Sequence, residues 1–136
     1  MLLGEIKEEK IEIKMKLCCK NCNDLLTPKV LLKSEIDELS YIDEEELLQE
    51  GKFIEASKVE YNFGIPIEYL INSKSIILKN HSESIRLQGC CGPSEFDKLN
   101  QVCVNCNNEI GVLIADCWTS KFIGVNMSKV SLKRLW

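Results

Sequence analysis

Hydrophobic and polar residues alternate strictly from Lys10 to Leu17, with Ile11, Ile13, Met15 and Leu17 on one face and charges on the other. This period of two predicts a half-buried strand. Val30 to Leu32 reads as a short return strand after the break at Thr27-Pro28. Lys52 to Glu55, Lys58 to Phe63 and Ser75 to Lys79 have strand character, and Gly64 and Pro66 interrupt the series. Ser84 to Gln88 alternates again, and Glu109 to Val125 reads as two strands broken near Trp118 to Ser120. Ile42 to Gln49 predicts two helical turns, capped by Asp43 and stopped by Gly51. Lys129 to Trp136 is mildly basic and amphipathic. The pattern predicts a mainly β, small α+β protein: an antiparallel sheet with one or two short helices.

Two segments share one pattern, C-x-N-C-N-[DN]-x-[LI]: Cys19 to Leu26 and Cys103 to Ile110. Each has the form of a zinc knuckle, a tight turn that aims two thiolates at one ion. Cys19, Cys22, Cys103 and Cys106 supply the four ligands of a closed tetrahedral zinc site. The residue after the second cysteine of a knuckle often needs a positive φ, which asparagine tolerates better than most non-glycine residues. Asn23 and Asn107 occupy that position. Leu25, Leu26 and Ile110 are expected to pack the loops onto the core. Four thiolates also suit an iron–sulfur cluster, but nothing else in the chain points to electron transfer. A disulfide framework and a coincidence of two C-x-x-C pairs are the remaining readings.

The knuckles resemble those of zinc-ribbon proteins, in which two knuckles on paired hairpins share one zinc. The resemblance covers only the two knuckle segments and implies a structural metal rather than an activity. It places ribbon-like parts at 10–30 and 85–125, with 31–84 as an insertion. The chain departs from the common ribbon in the length of that insertion and in its Asn-for-Gly positions. The series Gly89-Cys90-Cys91-Gly92, Cys103 to Cys106 and Asp116-Cys117-Trp118 is also similar to small bacterial Cys-rich proteins of uncharacterised function, which implies no chemistry.

The other four cysteines leave alternatives open. Adjacent strand residues face opposite sides, so Cys18 points away from Cys19 and reads as a spare buried thiol. Cys90 and Cys91, between Gly89 and Gly92-Pro93, read as a packed structural turn. Other readings are a thiol redox or metal-handling pair working with Cys117, and a replacement ligand set of Cys91, Cys103, Cys106 and Cys117. The single histidine, His81, lies in a polar stretch and reads as an exposed loop residue, the alternative being ligation beside Cys90 or Cys117.

At 136 residues the chain fits a single domain, 1–136, and can bury a real core. Lys and Arg number 17 against 21 Asp and Glu, for a formal charge of -4; a nucleic-acid reader usually carries a basic surface. The acidic run from Glu35 to Glu50 reads as a solvated face, or as a dock for a basic partner. One histidine excludes multi-histidine metal catalysis and His-based triads, and no phosphate loop or G-x-S-x-G is present. No catalytic residue is assigned. The start, Met1 to Lys10, lacks the apolar stretch of a signal peptide, and no apolar run is long enough to span a bilayer. A reducing cytoplasm, where C-x-x-C pairs bind metal rather than oxidise, is the expected setting. The sequence therefore predicts a small cytoplasmic zinc protein with a structural site and another protein as its partner. A thiol-based protein using Cys90, Cys91 and Cys117 is the alternative.

Overall fold

The computed structural model describes residues 14–134. Among these residues nine strands form one sheet in the order β5-β6-β7-β8-β4-β3-β2-β1-β9. They are β1 (Lys14–Cys19), β2 (Leu31–Lys33), β3 (Lys52–Glu55), β4 (Tyr69–Ile71), β5 (Lys79–Asn80), β6 (Gln101–Val102), β7 (Glu109–Ile114), β8 (Phe122–Val125) and β9 (Val130–Arg134). Among these described strands only the β2–β3 pair is parallel. No α-helix occurs among the described residues; short 3-10 turns, such as Ile36–Glu38 and Met127–Lys129, take that place. The mainly β expectation holds. The part of the first predicted strand before Lys14, and the last two residues of the C-terminal segment, lie outside the described residues.

Strand alternation builds two apolar layers. One face of the sheet sends Met15, Leu17, Leu31, Phe53, Ile71, Ile123, Val125 and Val130 into a common cluster with Cys19 and Cys103. The other face sends Ile54, Leu70, Val112, Ile114 and Phe122 into a second cluster. That outer layer is covered by Leu47 and Leu48 and by Tyr61, Phe63 and Phe96, whose rings pack tilted or edge-on around Phe122. Central strands are thus buried on both faces, which is why β7 and β8 read as nearly continuous apolar runs.

The first cluster draws on strands from β9, at one edge, to β7, two places from the other. Such a common interior requires the sheet to curl. Five strand spacings separate β7 from β1, which in a flat sheet would be about 24 Å. In the folded chain the loop before β7 touches the loop after β1. A β-bulge assists this approach. Gln101 pairs with Gly111 and Val102 with Glu109, so Ile110 is an extra residue on β7 and turns into the inner core.

Several expected elements differ. Ile42 to Gln49 is not a helix: Glu44 has a φ of 69°, and beyond one turn closed by Glu45 N–H on the Ile42 carbonyl the segment hydrogen-bonds to Thr119 and Lys121, just before β8. Lys121 N–H donates to the Glu45 carbonyl, and Leu47 N–H to the Lys121 carbonyl. Buried neighbours Leu47 and Leu48 then anchor it. Lys58 to Phe63 has no strand partner, because its aromatic residues serve as cover for the outer layer. In Ser75 to Lys79 only Lys79 joins a strand; the Asn72 side chain accepts from Lys74 N–H and turns the chain there. Ser84 to Gln88 forms a 3-10 turn at Ser84–Leu87, stitched by the Glu83–Arg86 ion pair. The acidic run is partly absorbed into structure: Glu38 accepts from the Glu35 N–H at 3.0 Å, and Glu46 holds the N–H and hydroxyl of Ser73.

Asn100 fixes β7 where β6 runs out. Fully buried, it accepts from Leu113 N–H at 2.7 Å and donates to the Leu113 carbonyl at 3.1 Å. Asn100→Ala strands both backbone groups, at about 1–3 kcal/mol for each unsatisfied group. Thermal or urea unfolding of that variant should show a loss of about 2–6 kcal/mol, against little change for Asn21→Ala on the surface.

Candidate metal centre

The two knuckles are the same turn built twice. Asn23 N–H donates to the Cys19 carbonyl at 2.7 Å, and Asn107 N–H to the Cys103 carbonyl at 2.9 Å. Cys19 N–H donates to the Asp24 carbonyl at 2.8 Å, and Cys103 N–H to the Asn108 carbonyl at 2.9 Å. Asn23 and Asn107 have φ values of 68° and 65°, the left-handed conformation read from the motif. The first knuckle leaves β1 and returns alongside it, with Leu26 N–H on the Leu17 carbonyl at 2.8 Å. The second turns between the antiparallel strands β6 and β7. Leu26 and Ile110 pack into the core as expected, but Leu25 does not: it is 47% exposed. It bridges Cys18 on the opposite side of the turn, away from the core.

The turns bring all four knuckle sulfurs within 4.8 Å of one another. Cys19 Sγ lies 3.6 Å from Cys106 Sγ, and Cys22 Sγ lies 3.7 Å from Cys103 Sγ. A tetrahedron of sulfurs at the usual zinc–sulfur distance of about 2.3 Å has edges of about 3.8 Å. The donor set therefore fits a zinc-sized thiophilic ion, with four protein ligands and no position left for water. Cys19 and Cys103 are fully buried, and Cys22 and Cys106 are half-buried.

Electrostatics divide the cluster. Burial pushes the Cys19 thiol up, but the N–H groups of Cys22 and Asn21, the Asn108 amide and Cys106 outweigh it and bring it down to about 7. Cys103 is pushed up to about 12, by burial first and then by the neighbouring Cys22 and Cys19 thiols, against the N–H groups of Cys106 and Asn105. Four thiols at this spacing resist full ionisation unless a cation joins them. Asn108 also ties the knuckles together, donating to Cys19 Sγ at 3.6 Å and to the Lys129 carbonyl at 3.3 Å.

A second group forms elsewhere. Cys90, Cys91 and Cys117 bring their sulfurs within 4.8 Å of one another. This overturns the replacement set of Cys91, Cys103, Cys106 and Cys117, because Cys91 and Cys117 belong to the other group. Cys90 and Cys91 are exposed, not packed as a core turn would be, and all eight cysteines are free thiols. Hydrogen bonding with Cys91, then burial and the Asp116 carboxylate, push the Cys117 thiol up to about 12. Cys18 is buried and belongs to neither group, as its strand parity implies.

The sequence reading missed Asp116. Its carboxylate accepts the N–H groups of Cys90, Cys91 and Cys117 at 2.9, 2.8 and 2.6 Å, and Trp118 Nε1–H at 3.1 Å. Burial works against its charge, but these N–H donors hold it well below the usual carboxylate range. The available signal was an Asp directly before Cys117, since Asp side chains bind nearby backbone N–H groups.

His81 is not an exposed loop residue. Its side chain is 11% exposed, with Nε2 on Glu109 Oε2 at 2.9 Å and Nδ1 accepting from Glu83 N–H at 3.0 Å. Both ring nitrogens are occupied, so it joins neither cysteine group. No family model matches the chain, and no curated protein or solved structure matches it either.

Proposed function

We propose that the protein is a zinc protein of zinc-ribbon-like type. One ion on Cys19, Cys22, Cys103 and Cys106 holds the fold, and the protein works by binding another protein in the cytoplasm, as an adaptor, antitoxin or immunity factor would. The observation that carries the metal reading is the closed four-sulfur cluster with near-tetrahedral edges. A full set of four thiolates gives a structural ion, since a catalytic one keeps an open position. Among the described residues no helix is long and apolar enough to cross a membrane. The protein-binding reading draws on the acidic segment, which carries Ile36, Tyr41 and Ile42 at 56–58% exposure. Apolar side chains among carboxylates suit a partner with basic and apolar groups.

Metal analysis with native mass spectrometry should find zinc in the purified protein, and Cys22→Ser should lose the ion of this cluster. Losing about 3 kcal/mol or more should lower the melting temperature by about 10 °C. Unchanged melting would end the structural-ion reading.

Zinc must displace protons from the thiols, so its binding weakens as pH falls. Ligation holds each thiol pKa below its unfolded value of about 8.5. The stabilisation is therefore present at high pH and lost as pH falls through the lowered values. Competition with a chromogenic chelator should give affinity roughly 100-fold or more higher at pH 8 than at pH 6; a pH-independent affinity counts against thiolate ligation.

For the partner, replacing Ile36, Tyr41 and Ile42 by Ser should leave melting within about 1 kcal/mol of wild type. Affinity purification from the native host should then lose a protein that wild type retains. Identical partner lists from the two baits would contradict this surface, and a salt-dependent shift with mixed DNA or RNA would favour nucleic acid instead.

A further inference from the structure

We propose that Cys90, Cys91 and Cys117 form a second metal site, one that takes a thiophilic ion such as zinc on three thiolates and leaves its fourth position open to an exogenous ligand. The site is distinct from the four-cysteine cluster. Cys106 precedes the six-residue strand β7 by three residues, and Cys117 follows it by three. The strand alone spans about 20 Å, so no ion can share the two groups.

The geometry is built rather than incidental. Cys90 and Cys91 come from one turn and Cys117 from another, and a single carboxylate gathers all three backbones. Asp116 takes the N–H of each cysteine, which fixes three Cα positions around one point. The flanking glycines let the turn close on it. A Cβ at Gly89 would stand 2.7 Å from Asp116 Oδ2 and collide with the Gly92 carbonyl, and one at Gly92 would collide with the Ala115 carbonyl. Pro93 then anchors the turn, its carbonyl accepting from Ala115 N–H at 2.8 Å. Both halves of the Gly89-Cys90-Cys91-Gly92 and Asp116-Cys117 pattern thus serve one purpose.

Three mutually close sulfurs suit an ion better than a disulfide. A disulfide joins two and strands the third, whereas a soft ion uses all three. Three thiolates beside the Asp116 carboxylate concentrate negative charge, which a divalent cation offsets. No imidazole base serves the thiols, because His81, the single histidine, is committed to Glu109 and Glu83. The ion displaces one proton from each thiol it binds. Its surface position, with Cys90 and Cys91 exposed, leaves room for water, a small thiol or a donor from a partner in the fourth position, the arrangement of an exchangeable rather than a buried ion.

Reduced full-length protein loaded with excess zinc should bind two ions by native mass spectrometry. A weak chelator should remove one of them at least tenfold faster than the other. The Cys90→Ser, Cys91→Ser, Cys117→Ser triple variant should bind one ion, kinetically slow, and melt within error of wild type. A second measurement needs no variant: the second equivalent of zinc should slow alkylation of Cys90, Cys91 and Cys117 at least tenfold, mapped by peptide mass spectrometry. One zinc in wild type, two in the triple variant, alkylation rates unmoved by the second equivalent, or recovery of a Cys91–Cys117 disulfide from the reduced, zinc-loaded protein would each overturn the proposal.

Discussion

The fold depends on one closure. Loops separated by 81 to 87 residues of chain meet sulfur to sulfur, at 3.6 and 3.7 Å. Bringing the ends of an 81-residue segment together costs about 4 kcal/mol of chain entropy before any contact is rewarded. Two terms oppose that cost. The inner apolar cluster collects a side chain from nearly every strand and includes Cys19 and Cys103 themselves. The four sulfurs then form a polar pole to that cluster, where burial and mutual repulsion keep thiols from ionising together unless a cation is present. The curled sheet and the cysteine cluster therefore require each other. Without the curl the sulfurs sit on opposite sides of a wide sheet, and without the sulfurs the curl ends in a gap between the two knuckles.

Strand β7 organises both cysteine groups. Its N-terminal end carries the second knuckle and the bulge that turns Ile110 inward. Its C-terminal end leads through Ala115 to Asp116, where three more cysteines converge. Asn100 holds the strand between them. The two ends differ in chemistry because they differ in burial. One closes over four sulfurs at the edge of the core. The other gathers three sulfurs at the surface, Cys90 and Cys91 exposed and Cys117 half-buried, and their N–H groups are spent on a carboxylate rather than on the thiols.

Much of this was legible in the sequence where the signal is local. The knuckle is a short turn whose geometry follows from its own residues, so Asn23 and Asn107 could be assigned a positive φ from chemistry alone. β1, β3, β7 and β8 were readable from alternation or continuous apolar runs. The misses share a cause, which is that tertiary partners decided. Ile42 to Gln49 has helical spacing, but Glu44, Glu45 and Leu47 bond across to Thr119 and Lys121. Tyr61 and Phe63 alternate because they cover Phe122, not because they pair in a sheet. The strands β4 and β6, three and two residues long, are too short to show a period. Asp116 was hidden because its meaning depends on Cys90 and Cys91, far away in the chain.

Hydrogen exchange, followed residue by residue in zinc-loaded and chelated protein, tests most directly whether the cysteine cluster closes the sheet. Amides of β1 and β9 on one side, and of β6 and β7 on the other, should lose protection together on chelation, while the β3–β4 pair in the middle of the sheet loses least. Protection that stays the same on both sides after the ion is removed would contradict the account, because the inner core alone would then be enough to hold the curl.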